Sequence, residues 1–445
     1  MIRGHARVWF ALSLCAVVSA RVLAGPPDPP TGAGGKPPHD LLSIAKREAE
    51  RQRAKALASA QTLLNDLRSS PDESQGYVQS KITDLAGLGP PVLELIAAAM
   101  DHEDAGQGAQ NEGINAARAG AKIGGPEARA CFEKLATSTK KFGRRNAALA
   151  LGRMNDPSAA VILKPLVSDP EAIVVQEALR ALGALGVDGT AELLASYVAV
   201  DNGGTATAAI QGLTRMGHAP SADAVLARLV AEQSLATPGE EVQLAALAHL
   251  GRFPPSNAAA AVPALERPLE AGNASPALRS AAIAALSALA QHHDEVKKPV
   301  IAALKLGLGS ASRNVVTDAA KALVALGDDS GVQSVTADLD DELNRSPKNY
   351  NARYKRAALL LDFGKFKEAL RDYREALKVD KEPADPNTVY VSMARCYAGV
   401  EQFSEAQRAL QKLGWNDYSP LPKQYLELKR MADDSRFRAF FQPPK

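Results

Sequence analysis

The stretch Arg144–Gly186, RRNAALALGRMNDPSAAVILKPLVSDPEAIVVQEALRALGALG, writes one phrase twice. Ala150-Leu151-Gly152-Arg153-Met154 and Ala181-Leu182-Gly183-Ala184-Leu185 each close a run of Ala and Leu, and each leads through a short loop into another apolar run. With Leu151 and Leu182 as landmarks, equivalent positions fall at Leu85, Gly120, Leu213, Leu250, Leu286 and Leu323, at intervals of 35, 31, 31, 31, 37, 36 and 37 residues along the chain. A near-constant spacing of this size marks stacked repeats, in which no unit can bury its apolar face alone. The expectation is an all-α chain, an α-solenoid of helical hairpins over residues 77–337.

Composition agrees. A chain of 445 residues exceeds what one compact core supports. Apolar residues make up 46% and aromatics only 5%, so the core is built from Ala, Leu, Val and Ile. Small side chains let helices approach closely, and strand patterns are poor.

The local chemistry of the repeat resembles the HEAT-like repeats of the phycobilisome-lyase type. Gly143–Ala159 carries that resemblance, with Arg144, Ala147, Ala148, the Ala-Leu-Gly phrase, and Asp156-Pro157-Ser158-Ala159. That family writes an Arg, then Ala, then Ala-Leu-Gly-x-Leu-Gly-Asp-Pro-x-Ala. Asp169-Pro170 repeats the Asp-Pro of the inter-helix loop. Asp suits a helix N-cap and Pro the first turn. Gly152 and Gly183 are expected to let facing helices close up, and Gly186 and Gly217 to end helices. Three departures stand out: Gly120 for the landmark Leu, Pro254-Pro255 for Gly-Asp, and Ala290 for a terminal Gly.

Beyond Gly327 the pattern changes. From Tyr350 the chain resembles a tetratricopeptide repeat, through Ala357, Gly364, Phe366, Ala369, Tyr373, Ala376 and Leu377. A second copy reads Tyr390, Met393, Ala394, Tyr397, Phe403, Ala406 and Leu410, with Glu401 where the first copy has Gly364. The resemblance implies two repeats over residues 348–413 and places Tyr354, Ala358, Leu361, Val391 and Arg395 on a concave helix face. Residues 348–382 hold ten Lys or Arg against six Asp or Glu. The Lys and Asn pattern by which some members clamp a C-terminal carboxylate is absent. Residues 421–441 read as one amphipathic capping helix, with Tyr425, Leu426, Leu428 and Met431 on the covering face.

The N-terminus reads differently. Arg3 and Arg7 precede the apolar run 8–20, and Val22-Leu23-Ala24 supplies small residues at a cleavage site, the layout of a secretory signal peptide over residues 1–24. A transmembrane anchor needs about 20 apolar residues, and Arg21 interrupts this run. Lipidation at Cys15 is opposed by the bulk of Leu14. Loss of three arginines takes the basic residues from 52 to 49 against 50 acidic ones, so the formal charge changes from +2 to −1. The precursor's positive charge therefore carries no nucleic-acid signal. Residues 25–40 are a Pro/Gly-rich spacer, and a long helix follows over 41–70 whose charged middle, residues 46–55, leaves only its ends to be buried. Cys131 and Cys396 stand in different modules and are expected as free thiols.

No nucleophile, base and orienting group are suggested together, and no cofactor or metal is expected. His292-His293 and His102-Glu103-Asp104 read as solvated turns, and the Gly-rich pieces at 32–35 and 106–108 lack the strand and helix of a phosphate loop. One column is more informative. Two residues beyond the landmarks stand Lys122, Arg153, Ala184, Arg215 and Arg252, so four of five consecutive repeats place a cation at one point. This reads either as helix-dipole compensation in a last turn or as a basic ridge for an acidic partner. The partner-binding candidates are therefore Lys122, Arg153, Arg215, Arg252, Tyr354 and Arg395. The expected function is an exported, non-enzymatic scaffold for protein or peptide partners, with no nucleic acid and no stable membrane span after signal removal. A structural subunit of an envelope complex is the alternative, and a lyase-like enzyme is a more distant one by analogy with the phycobilin lyases.

Overall fold

The computed structural model describes residues 38–69, 75–379 and 385–443. The signal peptide expected at 1–24 and most of the spacer at 25–40 lie outside the described residues. Two units are distinguished, one ending at Ala58 and one spanning Ser59–Lys445. In the first, helix α1 (Pro38–Asp66) exposes residues 46–55, as their charge dictates. Ile44 is also exposed, against the burial expected at this end of the helix, while the side chains of Leu41 and Leu42 lie outside those described. Within the second unit Ala60, Leu64 and Leu67 are fully buried.

The second unit is helical throughout its described residues, with no strand. Eight helices carry the landmarks: α2 (Gly76–Gly87), α4 (Gln107–Ile123), α6 (Lys141–Arg153), α8 (Ala172–Leu185), α10 (Gly203–Met216), α12 (Glu240–Arg252), α14 (Pro276–His292) and α16 (Arg313–Ala325). Each packs on the next in the series, forming one continuous inner row. Between them lie the outer helices α3 (Leu93–Met100), α5 (Gly125–Leu135), α7 (Ala160–Leu166), α9 (Ala191–Ser196), α11 (Ala222–Gln233), α13 (Ala258–Glu270) and α15 (Lys297–Gly307), each paired with the inner helix that follows. All eight landmark positions are buried. A fully buried Leu contributes about 1.5–3 kcal/mol, so the row of seven leucines is the spine of the stack. Part of the change of interval lies in the outer helices, since α7 and α9 have 7 and 6 residues and α11 and α13 have 12 and 13, but α5 and α15 both have 11 residues in intervals of 31 and 37.

The three departures from the repeat each have a local cause. At Gly120 a Cβ would stand 2.7 Å from Phe132 Cζ, so the Phe132 ring occupies the space of the missing Leu. Phe253, which precedes Pro254, is extended (φ −132°, ψ 90°); a proline pushes its predecessor out of helical conformation, and α12 stops. Without a glycine at 290, α14 runs on to His292 and ends in an extended His293. Where glycine is present, Gly186 and Gly217 take the left-handed conformation and close α8 and α10.

The two Asp-Pro loops differ. Asp156 caps the short turn 157–159 by accepting the Ser158 N–H. Asp169 accepts the Glu171 N–H but sits two residues before Glu171, the N-cap of α8. Its carboxylate faces Arg144 instead, through Nε–Oδ2 at 2.6 Å and Nη2–Oδ1 at 2.9 Å. Arg144 also donates to the Ser138 and Thr139 carbonyls. It thereby straps the turn of its own hairpin to the turn of the next.

From α16 the helices pack consecutively through α17 (Ser330–Arg345), α18 (Tyr350–Asp362), α19 (Phe366–Val379), α20 (Pro386–Gly399) and α21 (Phe403–Gln411). Gly364 and Glu401 both adopt positive φ, +69° and +60°. Both residues follow a helix C-terminus, and Glu401 bears strain that glycine does not. The segment expected as one helix over 421–441 is instead α22 (Leu421–Gln424), α23 (Leu426–Asp433) and a 3₁₀ turn, Arg438–Phe441. Tyr425 is extended (φ −127°, ψ 120°) and breaks the helix. Leu428 and Met431 are fully buried as expected, but Leu426 turns outward.

Candidate partner-binding surface

The inner row sets the geometry of the surface. Neighbouring inner helices touch at the residue after the landmark: a Cβ on Gly152 would meet Ala181 Cα at 2.7 Å, and one on Gly183 would meet Gly212 Cα at 2.2 Å. Position 152 is thus level with 181, and 183 with 212, so the cation sites one residue further on stand at the same end of successive helices. Lys122, Arg153, Arg215 and Arg252 each occupy the last turn of their helix, and all four are exposed. Three are partly engaged: Lys122 Nζ donates to Thr83 Oγ1 at 2.9 Å, the Arg252 guanidinium lies 5.4 Å from the Phe253 ring centroid, and Arg153 also has a partner within the chain. Arg215 makes no polar contact with the described residues.

The C-terminal candidates are placed otherwise. Tyr354 is half-buried in an aromatic ladder, 6.2 Å from Tyr350 and 6.3 Å from Tyr373 between ring centroids. Arg395 is committed within the chain: its Nη2 stands 3.3 Å from Glu427 Oε1, and its guanidinium covers the Tyr425 ring at 4.6 Å. The C-terminal segment therefore occupies the side chain that sequence reasoning offered to a partner.

Sequence reasoning also missed the strongest electrostatic centre. Arg356 on α18 donates to both oxygens of Asp372 on α19, at 2.6 and 2.7 Å, and to Asp340 Oδ1 on α17 at 2.6 Å. Asp372 is only 3% exposed, and Arg353 stands 3.5 Å away. The Asp372 hydrogen bond above all holds the Arg356 pKa above its ordinary value. The residues lie 16 positions apart on either side of Arg356, so no motif announces them.

Among the described residues no three His, Cys, Asp or Glu side chains form a group able to hold a metal ion. His292 Nδ1 bonds to the Ala288 carbonyl, while His293 faces Glu295 at 3.4 Å. His102 stacks on Phe142 at 5.0 Å, less solvated than its polar turn suggested. Cys131 and Cys396 are free, and burial pushes the Cys396 thiol up to about 12. No single described helix is long and apolar enough to cross a membrane.

His249 is the most perturbed imidazole. It is fully buried on α12, with Nδ1 2.9 Å from Thr214 Oγ1 and Nε2 3.2 Å from Ser221 Oγ. Burial, with a smaller push from His218, lowers its pKa to about 4. Between pH 6.5 and 4 the unfolded chain holds this proton and the folded chain does not, so stability falls as pH falls through that window, by on the order of 3 kcal/mol. His249→Gln should flatten the difference in chemical-denaturation midpoint between pH 7 and pH 4.5, measured against the wild-type chain. An unchanged pH dependence would remove His249 from the acid response.

Comparison with known proteins agrees with the repeat. The family described as HEAT repeats matches residues 109–183. No curated protein matches the chain. Similar solved structures include a homology model of the full-length AP-3 complex in an intermediate open conformation (12% identity, 86% of this chain and 78% of that one, TM-score 0.44). Human deoxyhypusine hydroxylase with glycerol matches over 54% of this chain and 96% of its own, at 20% identity and TM-score 0.25. The CpcE–CpcF complex of phycocyanin lyase from Nostoc sp. PCC7120 matches over 64% and 98%, at 19% identity and TM-score 0.31. The HEAT match covers the stretch in which the Ala-Leu-Gly phrase is written most clearly.

Proposed function

We propose that this chain is an exported, non-enzymatic scaffold that holds protein partners along its helical-repeat surface, with an acidic face of one partner lying across Lys122, Arg153, Arg215 and Arg252. The observation that carries this reading is the recurrence of an exposed cation in the same last turn of stacked helices. A cation there compensates the helix dipole by about 0.3–1 kcal/mol, but α8 ends without one. Dipole compensation is therefore not obligatory in this row. Long-range attraction from several modest cations suits a partner engaged over an extended surface.

In this reading, residues 1–24 direct export and the helices over 348–413 act as two tetratricopeptide-like units. The C-terminal units serve as a docking module, with Tyr354 half-buried in its aromatic ladder and Arg395 locking the terminal cap.

The test is the double variant Arg153→Glu/Arg215→Glu, crosslinked in the native envelope and compared with wild type by quantitative mass spectrometry. Partners enriched by wild type should fall at least tenfold, with the far-ultraviolet helix signal unchanged. Partners captured equally by both proteins would discard the ridge.

A further inference from the structure

A cavity of about 410 Å³ opens between the turn joining α11 to α12 and the turn joining α13 to α14. Two of the eight repeats close the corresponding turn with an arginine strap. Seven residues before the landmark, α6 carries Arg144 and α14 carries Arg279. Arg144 straps its own turn to Asp169 of the next, as described above. Arg279 does the same, donating to the Ala271 carbonyl at 2.8 Å and to Ser310 Oγ at 3.4 Å. The equivalent position on α12 is Gln243, and the residue equivalent to Asp169 and Ser310 is Asn273. Here no strap forms, and both residues line the cavity.

The side chains left in that space are unspent. Gln243 is only 7% exposed, and its amide makes no hydrogen bond with the described residues. Gln233 is 5% exposed; its Nε2 donates to the Ala264 carbonyl at 2.9 Å, and its Oε1 accepts nothing from the described chain. Arg267 lines the same cavity, exposed and without an ion pair. The carboxylates nearby are already engaged: Glu240 accepts from Ser275 Oγ, and Glu232 is held by the Gly239 N–H at 2.6 Å and by Arg228 at 2.8 Å. Leu235, Pro238, Pro268 and Leu278 supply the apolar wall, and Leu235 is 53% exposed.

We infer that this cavity binds the carboxylate end of a peptide chain. A primary amide presents a donor and an acceptor side by side, which is what a peptide group requires. Arg267 is matched by a carboxylate, which its guanidinium takes in a two-pronged hydrogen bond. The volume lies within the range of small-ligand sites, about 300–1,000 Å³, and accommodates a few residues with one side chain against the apolar wall. The site is independent of the exposed cation row, and its test uses purified protein, so failure here leaves the partner ridge untouched.

The experiment uses the full chain labelled with ¹⁵N-glutamine and titrated with a pool of N-acetyl tripeptides randomised at every position, carrying free C-terminal carboxylates. The side-chain amide signals of Gln243 and Gln233 should shift, and the C-terminally amidated pool should bind at least tenfold more weakly. Arg267→Gln, a surface change, should weaken binding at least tenfold. Gln243→Arg/Asn273→Asp should rebuild the strap, close the cavity and abolish binding. Unmoved glutamine signals, equal binding of the amidated pool, or wild-type binding by Arg267→Gln would each overturn the inference.

Discussion

Gly183→Ala should destabilise the chain by roughly 2 kcal/mol, whereas Gly251→Ala, at the same place in a later repeat, should stabilise it. Both residues follow a landmark Leu and face the next inner helix. At Gly183 the added Cβ would stand 2.2 Å from Gly212 Cα and 2.6 Å from its carbonyl oxygen. Those are backbone atoms, which no side-chain rotation can move aside. The helices must part, at a cost of about 3 kcal/mol for overpacking a close contact, offset by about 1 kcal/mol from the better helix propensity of alanine. At Gly251 the nearest atom is Ala285 N at 3.5 Å, an ordinary contact, so only the gain of about 1 kcal/mol remains. Urea midpoints followed by circular dichroism would show the opposite signs. Equal effects from the two substitutions would mean that α8 and α10 are not in backbone contact.

The second large effect is expected at the Arg356 centre. Arg356→Met removes the guanidinium that neutralises buried Asp372, leaving it with Arg353 at 3.5 Å. Breaking a buried pair by deleting one partner costs about 3–5 kcal/mol. The exposure of Arg356, whose side chain keeps 24% of its surface, places the expected loss near the lower end, about 3 kcal/mol. Arg356→Met/Asp372→Leu should recover most of that loss, because no unpaired charge stays behind. A double-mutant cycle read by urea unfolding, with hydrogen exchange over α17–α19 as the local probe, separates the terms. Additive effects would show that the pair contributes no coupling to the join between the inner row and the C-terminal helices.

What was legible in the sequence follows from what repeats. Leu85 through Leu323 report a periodic burial requirement, so the eight inner helices and their order could be read from spacing alone. The close approach at Gly152 and Gly183 was legible for the same reason. The pocket was not, because Gln233, Gln243, Arg267 and Asn273 come from two neighbouring turns and no spacing in the sequence joins them. The Asp340–Arg356–Asp372 centre was hidden because it joins three helices and leaves no local pattern. The break at Tyr425 escaped an apolar periodicity that continues across it, since Leu428 and Met431 are buried on the far side. Arg395 was placed on a surface face by family resemblance, but Glu427 and Tyr425 cover it from a segment outside the repeat.

The central claim is that equivalent positions of successive inner helices line up along one row. The most direct measurement is the electron-spin distance between nitroxide labels on the exposed last-turn positions 153 and 215, in a background lacking Cys131 and Cys396. One helix, α8, lies between α6 and α10, and interaxial spacings of about 8–10 Å put the labels roughly 20 Å apart before linker broadening. A single distribution centred near that value is the predicted result. A distance beyond about 40 Å, more than twice the two-spacing expectation, would contradict the row.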